Sequence, residues 1–431
     1  MTLIIYFCQM FIQKPKGTYD LLPGKSFQRN FIETKLREVF SDFNYSEIRT
    51  PAFEKTSLFR RGIGEETDIV SKEMYSFNED EFTLKPEMTA PVIRAYLENS
   101  LYNESPLKKL FYISNMFRRE RPQAGRFREF SQYGAEAIGS GDYLIDAEMI
   151  LLADTILKKF GIDDSKIKIN TIGSLSEREN YIKVLKNYLS KYINELSADS
   201  KRRFETNPLR ILDTKDKKDL EVLKDAPLLF DYLNEDTKSF FEKILFNLKL
   251  LNVNYETDYR LVRGFDYYTS TTFEFTSESL GAQNSLLGGG RYDLLVEQLG
   301  GKPAPAIGFA AGIERFEMIL EEKKFCFPSE KEIILYVASI GEESKISALN
   351  IMNSLRNSGI KCETDFLNRS VKSQMKEANK CNARYAVVIG ENELKNNSFQ
   401  LKKMSDGNEI NITNFENLIE YLKNENQTSS S

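Results

Sequence analysis

The stretch LVRGFDYYTSTTFEF, residues 261–275, constrains this chain more than any other. Residues 269–275 alternate in the manner of a strand with one buried face. Directly before that run stand Arg263, Asp266, Tyr267 and Tyr268: one guanidinium fork, one carboxylate and two phenols. A sheet is therefore expected to carry a polar cluster where this strand begins, with the composition of a ligand site. The same residues on a free sheet edge would simply be solvated, so the rest of the chain has to decide between the two.

The chain has 431 residues, more than one compact core usually holds, and two or three domains are expected. No apolar run approaches the length of a membrane span. Histidine is absent, which removes an imidazole base, an imidazole metal ligand and any histidine-centred triad. Chemistry is left to arginine, carboxylates, amides and tyrosine. Cys8, Cys326, Cys362 and Cys381 form no CxxC pair, so neither a zinc site nor a disulfide framework is expected, and a reducing cytoplasm is the expected compartment. The net charge of −5 tells mildly against a polyanionic partner, although the distribution of charge matters more than its sum. The opening MTLIIYFCQMF lacks the positive region and small-residue cleavage site of a secretory signal. Met10 is the expected start, with residues 1–9 a non-native extension.

Residues 27–44 have helical apolar spacing and lead into the strand-like SEIRTPAF. Residues 83–93, 111–116 and 130–138 suggest β elements, with turns at Pro86, Pro122 and Gly125. Residues 176–252 turn lysine-rich and helical, an insertion in a larger β-containing domain. A helix over 311–323 closes that domain at about residue 326, and 327–332 form a linker. From 333 to 424 the order is strand, helix, strand, helix, strand, strand, helix, which predicts a small α/β domain with mainly parallel strands. The polar tail, 425–431, is expected to be frayed. Lys372, Lys376 and Lys380 recur every four residues and make one stripe on a helix.

Two further segments bear on function. In FYISNMFRRERPQAGRFREFSQYGAEAIG, residues 111–139, five arginines crowd a turn between two strands, and an arginine fork can hold a phosphate through two parallel bonds. Alone, such a loop would be a solvated surface. In GGGRYDLLVEQLGGKPAPAIGFAAGIERF, residues 288–316, small residues precede Arg315, and Gly308 and Gly312 would admit close approach of backbone to a ligand.

Together with TLKPEMTA (83–90), these segments resemble the ordered motifs of the histidyl-tRNA synthetases, a family of class II aminoacyl-tRNA synthetases, over nearly the whole chain. The resemblance implies an α+β fold: an antiparallel class II sheet with flanking helices and a helical insertion, then a small α/β anticodon-binding domain, assembled as a homodimer. It implies ATP with Mg2+ as substrate, no zinc and no organic cofactor. L-histidine and tRNA(His) are the implied partners, with no membrane. Arg118 and Arg263 would act at the α-phosphate. Arg118, Glu120, Arg126, Phe130 and Arg315 would bind ATP. Glu87 and Thr89 would hold the histidine α-ammonium, Gln132 would lie near its carboxylate, and Glu136, Tyr267 and Tyr268 near its imidazole, with Arg118 and Arg263 completing the set. Lys85, Met88, Ser131 and Gly288 depart from the family pattern, where Arg, Gly, His and Ala are usual. Two relatives share the fold without aminoacylation: the regulatory subunit of ATP phosphoribosyltransferase and a tRNA-sensing pseudo-synthetase. Retention of Arg118, Arg263 and Arg315 and of some hundred C-terminal residues tells against the first. The absence of a kinase signature tells against the second.

Overall fold

The computed structural model describes residues 12–64, 67, 69–123, 125–278, 284–329 and 332–428. The expected extension at 1–9 and the last residues of the tail, 429–431, lie outside that set. The chain divides into two units, Met1–Cys326 and Phe327–Ser431.

The strands of the first unit, in chain order, are β1 (Ser46–Glu47), β2 (Phe53–Lys55), β3 (Tyr75–Phe77), β4 (Phe82–Leu84), β5 (Lys108–Phe117), β6 (Glu129–Ile138), β7 (Lys166–Thr171), β8 (Glu256–Thr257), β9 (Thr271–Thr276), β10 (Ser285–Arg291) and β11 (Ala306–Gly312). Eight of them make one sheet in the order β1-β5-β6-β11-β10-β9-β7-β8. From β5 through β7 every pairing is antiparallel, and only the outermost pairs are parallel. The other three strands form a small sheet, β2-β4-β3.

Period-two alternation separates the two faces of the large sheet. One face carries Phe111, Tyr133 and Phe309, which meet Phe40 and Phe316 from helices Pro23–Asp42 and Ile313–Glu322. The opposite face carries Tyr112 and Ile138 into a core shared with helix Thr89–Glu98 and with Tyr181, Leu185 and Leu189 of the insertion. The insertion contains helices Leu175–Ser190, Ala198–Thr206, Lys217–Leu223 and Glu235–Leu250. Ser174 begins the first with a capping box closed by Glu177.

One expected element is different. Residues 83–93 are β only as far as Leu84; Thr89–Glu98 is a helix. Pro91 is tolerated because it falls in the first turn, where its missing N–H would have had no intrahelical partner. Glu87 supplies the cap, accepting from the Thr89 and Ala90 N–H groups at 2.7 and 3.0 Å.

The second unit is a five-stranded sheet of β12 (Leu335–Ser339), β13 (Cys362–Thr364), β14 (Tyr385–Ile389), β15 (Phe399–Lys403) and β16 (Glu409–Ile412), ordered β13-β12-β14-β15-β16. The first three strands are parallel and the last two antiparallel. Helices Glu342–Asn357 and Phe415–Thr428 cover one face and Val371–Lys380 the other. The last helix runs past residue 423, where Tyr385 donates to Glu425 at 2.7 Å. Strand β16 and the short helix Glu391–Asn396 were not foreseen in the sequence.

Candidate active site

A cavity of about 560 Å³ opens over the large sheet in the first unit. Its floor follows from strand register. Glu274, Gly288, Ala310, Gly134 and Tyr112 lie abreast across β9, β10, β11, β6 and β5. The next row on that face is Thr272, Gly290, Gly308, Glu136 and Leu110. Small residues in the middle of both rows leave the space that larger side chains would fill. Three of the glycines are roofed by polar groups: a Cβ at Gly288 would fall on the Arg263 guanidinium, one at Gly308 on the Glu136 carboxyl, and one at Gly134 on the Tyr112 hydroxyl.

Arginines from three elements face this floor. Arg118, just past β5, donates from Nε to the Pro86 carbonyl at 2.8 Å, and its guanidinium lies 5.2 Å from the centre of the Phe130 ring. Arg126 donates to Glu120 at 3.1 Å, and Glu120 also lies 3.8 Å from Arg118. Arg315, in the first turn of helix Ile313–Glu322, donates to the Ser285 carbonyl at 2.8 Å. Burial and the neighbouring Arg126 charge hold the Arg315 guanidinium below its usual range. A polyanion entering between these groups would relieve their repulsion.

At the other end, Tyr267 and Tyr268 are both 5% exposed and stand 4.8 Å apart between ring centres. The Tyr268 carbonyl accepts from Arg178 of the insertion at 2.8 Å. Thr89 donates its hydroxyl to Glu136 at 2.9 Å, and Tyr292 donates to the other carboxyl oxygen of the same residue. Burial pushes the Glu136 carboxyl up to about 8 against those two bonds, and it raises Glu87 as well. Tyr112 Oη, Gln132 Oε1 and Arg263 Nε are buried without a hydrogen-bond partner. Leaving such groups unmade costs about 1–3 kcal/mol each, so a cluster of them around one cavity marks where a polar ligand belongs.

The structure brings every proposed site residue except Glu136 to the cavity lining; Glu136 sits behind it and reaches it through Thr89 and Tyr292. Asp266 does not line it and instead accepts from Asn207 of the insertion at 3.0 Å. Ser131, where the family pattern has histidine, accepts from Arg29 at 2.9 Å and donates to Asn115 at 3.1 Å. Its own N–H donates to Glu314 at 2.8 Å, tying strand β6 to the helix that carries Arg315. Sequence reasoning missed Tyr112, Glu274, Arg210 and Asp213, all of which line the cavity, as does Tyr292 of the GGRYD segment whose resemblance implied an amino-acid pocket. Glu274 had a signal, being the one charged residue between Phe273 and Phe275 in an alternating strand. Arg210 and Asp213 had none, because they arrive from the insertion.

An antiparallel floor with one arginine after its hairpin strand and another opening the helix beyond β11 is the catalytic architecture of a class II aminoacyl-tRNA synthetase. Comparison with known proteins narrows the class. The family model for histidyl-tRNA synthetase matches residues 17–316, and that for an anticodon binding domain matches 335–425. The histidine–tRNA ligase of Caldanaerobacter subterraneus subsp. tengcongensis is 46% identical over 406 residues, 94% of this chain and 97% of its own length. That of Halothermothrix orenii is 46% identical over 417 residues, 96% and 99% of the two chains. The crystal structure of apo S. aureus histidyl-tRNA synthetase matches with a TM-score of 0.81 at 36% identity, covering 96% of this chain and all of the other. The chain belongs to the histidyl-tRNA synthetase family. Its activity is the ATP-dependent ligation of histidine to tRNA, in two steps.

Proposed function

We propose that the cavity over β5–β11 is where both steps take place, and that the convergence of Arg118, Arg263 and Arg315 on a glycine floor carries this assignment. In the first step a carboxylate oxygen of L-histidine attacks the α-phosphorus of ATP. The bond to the bridging oxygen breaks, and pyrophosphate leaves with that electron pair. In the second, a ribose hydroxyl of the 3′-terminal adenosine of tRNA(His) attacks the acyl carbon, and AMP leaves. Both steps depend on alignment and on stabilising charge at phosphorus or the carbonyl oxygen, which arginines supply without an imidazole.

Arg118 spans the α-phosphate and the histidine carboxylate, with Gln132 beside it. Arg263 is the second cation at the α-phosphate. Phe130 stacks on the adenine, Glu120 accepts from its amino group, and Arg126 and Arg315 hold the outer phosphates. Because the Thr89 hydroxyl spends its proton on Glu136, its oxygen is free to accept from the α-ammonium, together with Glu87. Tyr267 and Tyr268 border the imidazole, with Glu136 behind them. Mg2+ enters with the phosphates of ATP as part of that substrate; among the described residues no group of three acidic or thiol side chains is arranged as a metal cage.

We assign residues 10–326 to catalysis, with the insertion at about 176–252, and 333–424 to anticodon binding. Lys372, Lys376 and Lys380 are exposed on helix Val371–Lys380 and available to RNA phosphates. The working form is a cytoplasmic homodimer. ATP–pyrophosphate exchange tests the assignment: exchange should require histidine among the amino acids, and Arg263→Ala should lower it by about 10²–10³-fold, the loss typical of a preorganised transition-state donor. Full exchange in Arg263→Ala would remove Arg263 from the reaction.

A further inference from the structure

Arg263 lies outside any strand, between β8 and β9, so neither ladder fixes where its guanidinium points. Side chains do that instead. Its Nη1 donates to Glu274 Oε1 at 2.8 Å, and the Ser285 hydroxyl donates to the same oxygen at 2.6 Å. Glu274 is directly abreast of Gly288 in the pairing of β9 with β10. The guanidinium occupies the space that a side chain at Gly288 would need, so it lies flat on the β10 backbone with its outer edge on Glu274. Arg263 Nε is buried with no partner, and Nη2 donates to no acceptor among the described residues. One edge of the fork is thus held by the protein, and the Nε–Nη2 edge, the one that pairs with carboxylates and phosphates through two parallel bonds, is kept for an anion.

We infer that Glu274, held by Ser285, is the positioning residue that sets Arg263 for adenylation. The inference rests on the assignment of Arg263 to the α-phosphate. Glu274 does not itself touch the reacting atoms. It supplies a fixed anchor, so that the free edge of Arg263 meets the phosphorus-bound oxygens without reorganising. Asp213 of the insertion is the other acid acting on Arg263, but no hydrogen bond joins the two, which leaves Glu274 as the directional contact.

The test is a double-mutant cycle in ATP–pyrophosphate exchange, with transfer from preformed histidyl-adenylate to tRNA measured alongside. Glu274→Ala should lower kcat for exchange by about 10–100-fold and change KM for ATP and histidine by less than about threefold, the pattern of a lost transition-state interaction. In an Arg263→Ala background the same substitution should change exchange by less than about twofold, because the two residues act as a unit. Transfer from preformed adenylate should be unaffected by Glu274→Ala. Ser285→Ala, which removes the hydroxyl bond to Glu274 and keeps both charges, should show a smaller loss coupled to Arg263 in the same way and covers the case in which Glu274→Ala does not fold. An equal loss with and without Arg263, a loss confined to KM, or full exchange in both Glu274→Ala and Ser285→Ala would overturn the inference. If Arg263→Ala alone retains exchange, the assignment of Arg263 fails first; if Arg263→Ala loses exchange and Glu274→Ala does not, only the positioning role fails.

Discussion

Glu136 is 1% exposed, and its carboxyl is pushed from 4.5 up to about 8 by burial, with the nearby Glu87 charge adding to the rise. The bonds from Tyr292 and Thr89 oppose that shift without cancelling it. Between these two values the folded chain keeps a proton that the unfolded chain has released. The contribution of Glu136 to stability is therefore complete below about pH 4.5 and falls as pH rises toward 8, by up to about 1.4 kcal/mol per pH unit. Lys85, a buried lysine where the family has arginine, is lowered to about 8 by burial. Its effect has the opposite sign and falls at higher pH, between about 8 and 10.5, where the unfolded chain holds the extra proton. The two windows do not overlap. Glu136→Gln should flatten the stability profile between pH 5 and 8, with the variant gaining on the wild type as pH rises. Urea unfolding at both ends of that range measures the difference; an equal gap at pH 5 and pH 8 would show that Glu136 is ionised throughout.

Strands β10 and β11 work by omission, since glycine at 288 and 308 leaves the space in which Arg263 and Glu136 lie across the sheet. Gly308→Ala puts a methyl on the Glu136 carboxyl, directly opposite in register. That methyl should break the Thr89–Glu136–Tyr292 bonding and cost about 1–3 kcal/mol of stability, the usual range for overpacking. It should raise KM for histidine by about 10-fold or more, as loss of buried polar recognition does, and leave KM for ATP little changed. Parallel shifts in both constants would place Gly308 in the general scaffold instead. Strands β5 and β6 of this floor could be read from the chain because both are rich in aromatic and aliphatic residues, buried on both faces rather than alternating, and PQAG punctuates the turn between them. Helix Thr89–Glu98 could not, because residues 90–93 are an unbroken buried apolar run and its polar side, Arg94 paired with Glu98, begins only beyond them. The short β16 with its burial pattern of exposed, intermediate, exposed and buried residues had too few positions to show a period. Site residues inside recognisable motifs were legible. Glu274 and Asp213 were not singled out: the role of Glu274 depends on strand register, and nothing in the insertion's helical pattern marks which of its residues reach the cavity.

Each unit closes its own core, one around the eight-stranded sheet and one around the five-stranded sheet. Neither uses a histidine, since the 431 residues contain none. The structure shows how the first unit manages without one. At the family's histidine position the Ser131 hydroxyl bonds Arg29 and Asn115, while its backbone N–H donates to Glu314, and the cavity is lined with arginines, carboxyls and phenols. Every histidine codon would make synthesis of the chain depend on charged tRNA(His), which is what this activity supplies. A chain without such codons is expected to stay translatable when that product is scarce. Replacing exposed residues such as Glu38, Lys183 and Asn187 with histidine should leave folding and exchange intact, because solvent-facing positions tolerate substitution within about 0.5 kcal/mol. In a translation extract short of histidine, synthesis of that variant should fall behind the wild type, and restoring histidine should equalise the two. Equal synthesis under limitation would mean that the missing histidines confer no such advantage and that Ser131 is simply an adequate substitute in its network.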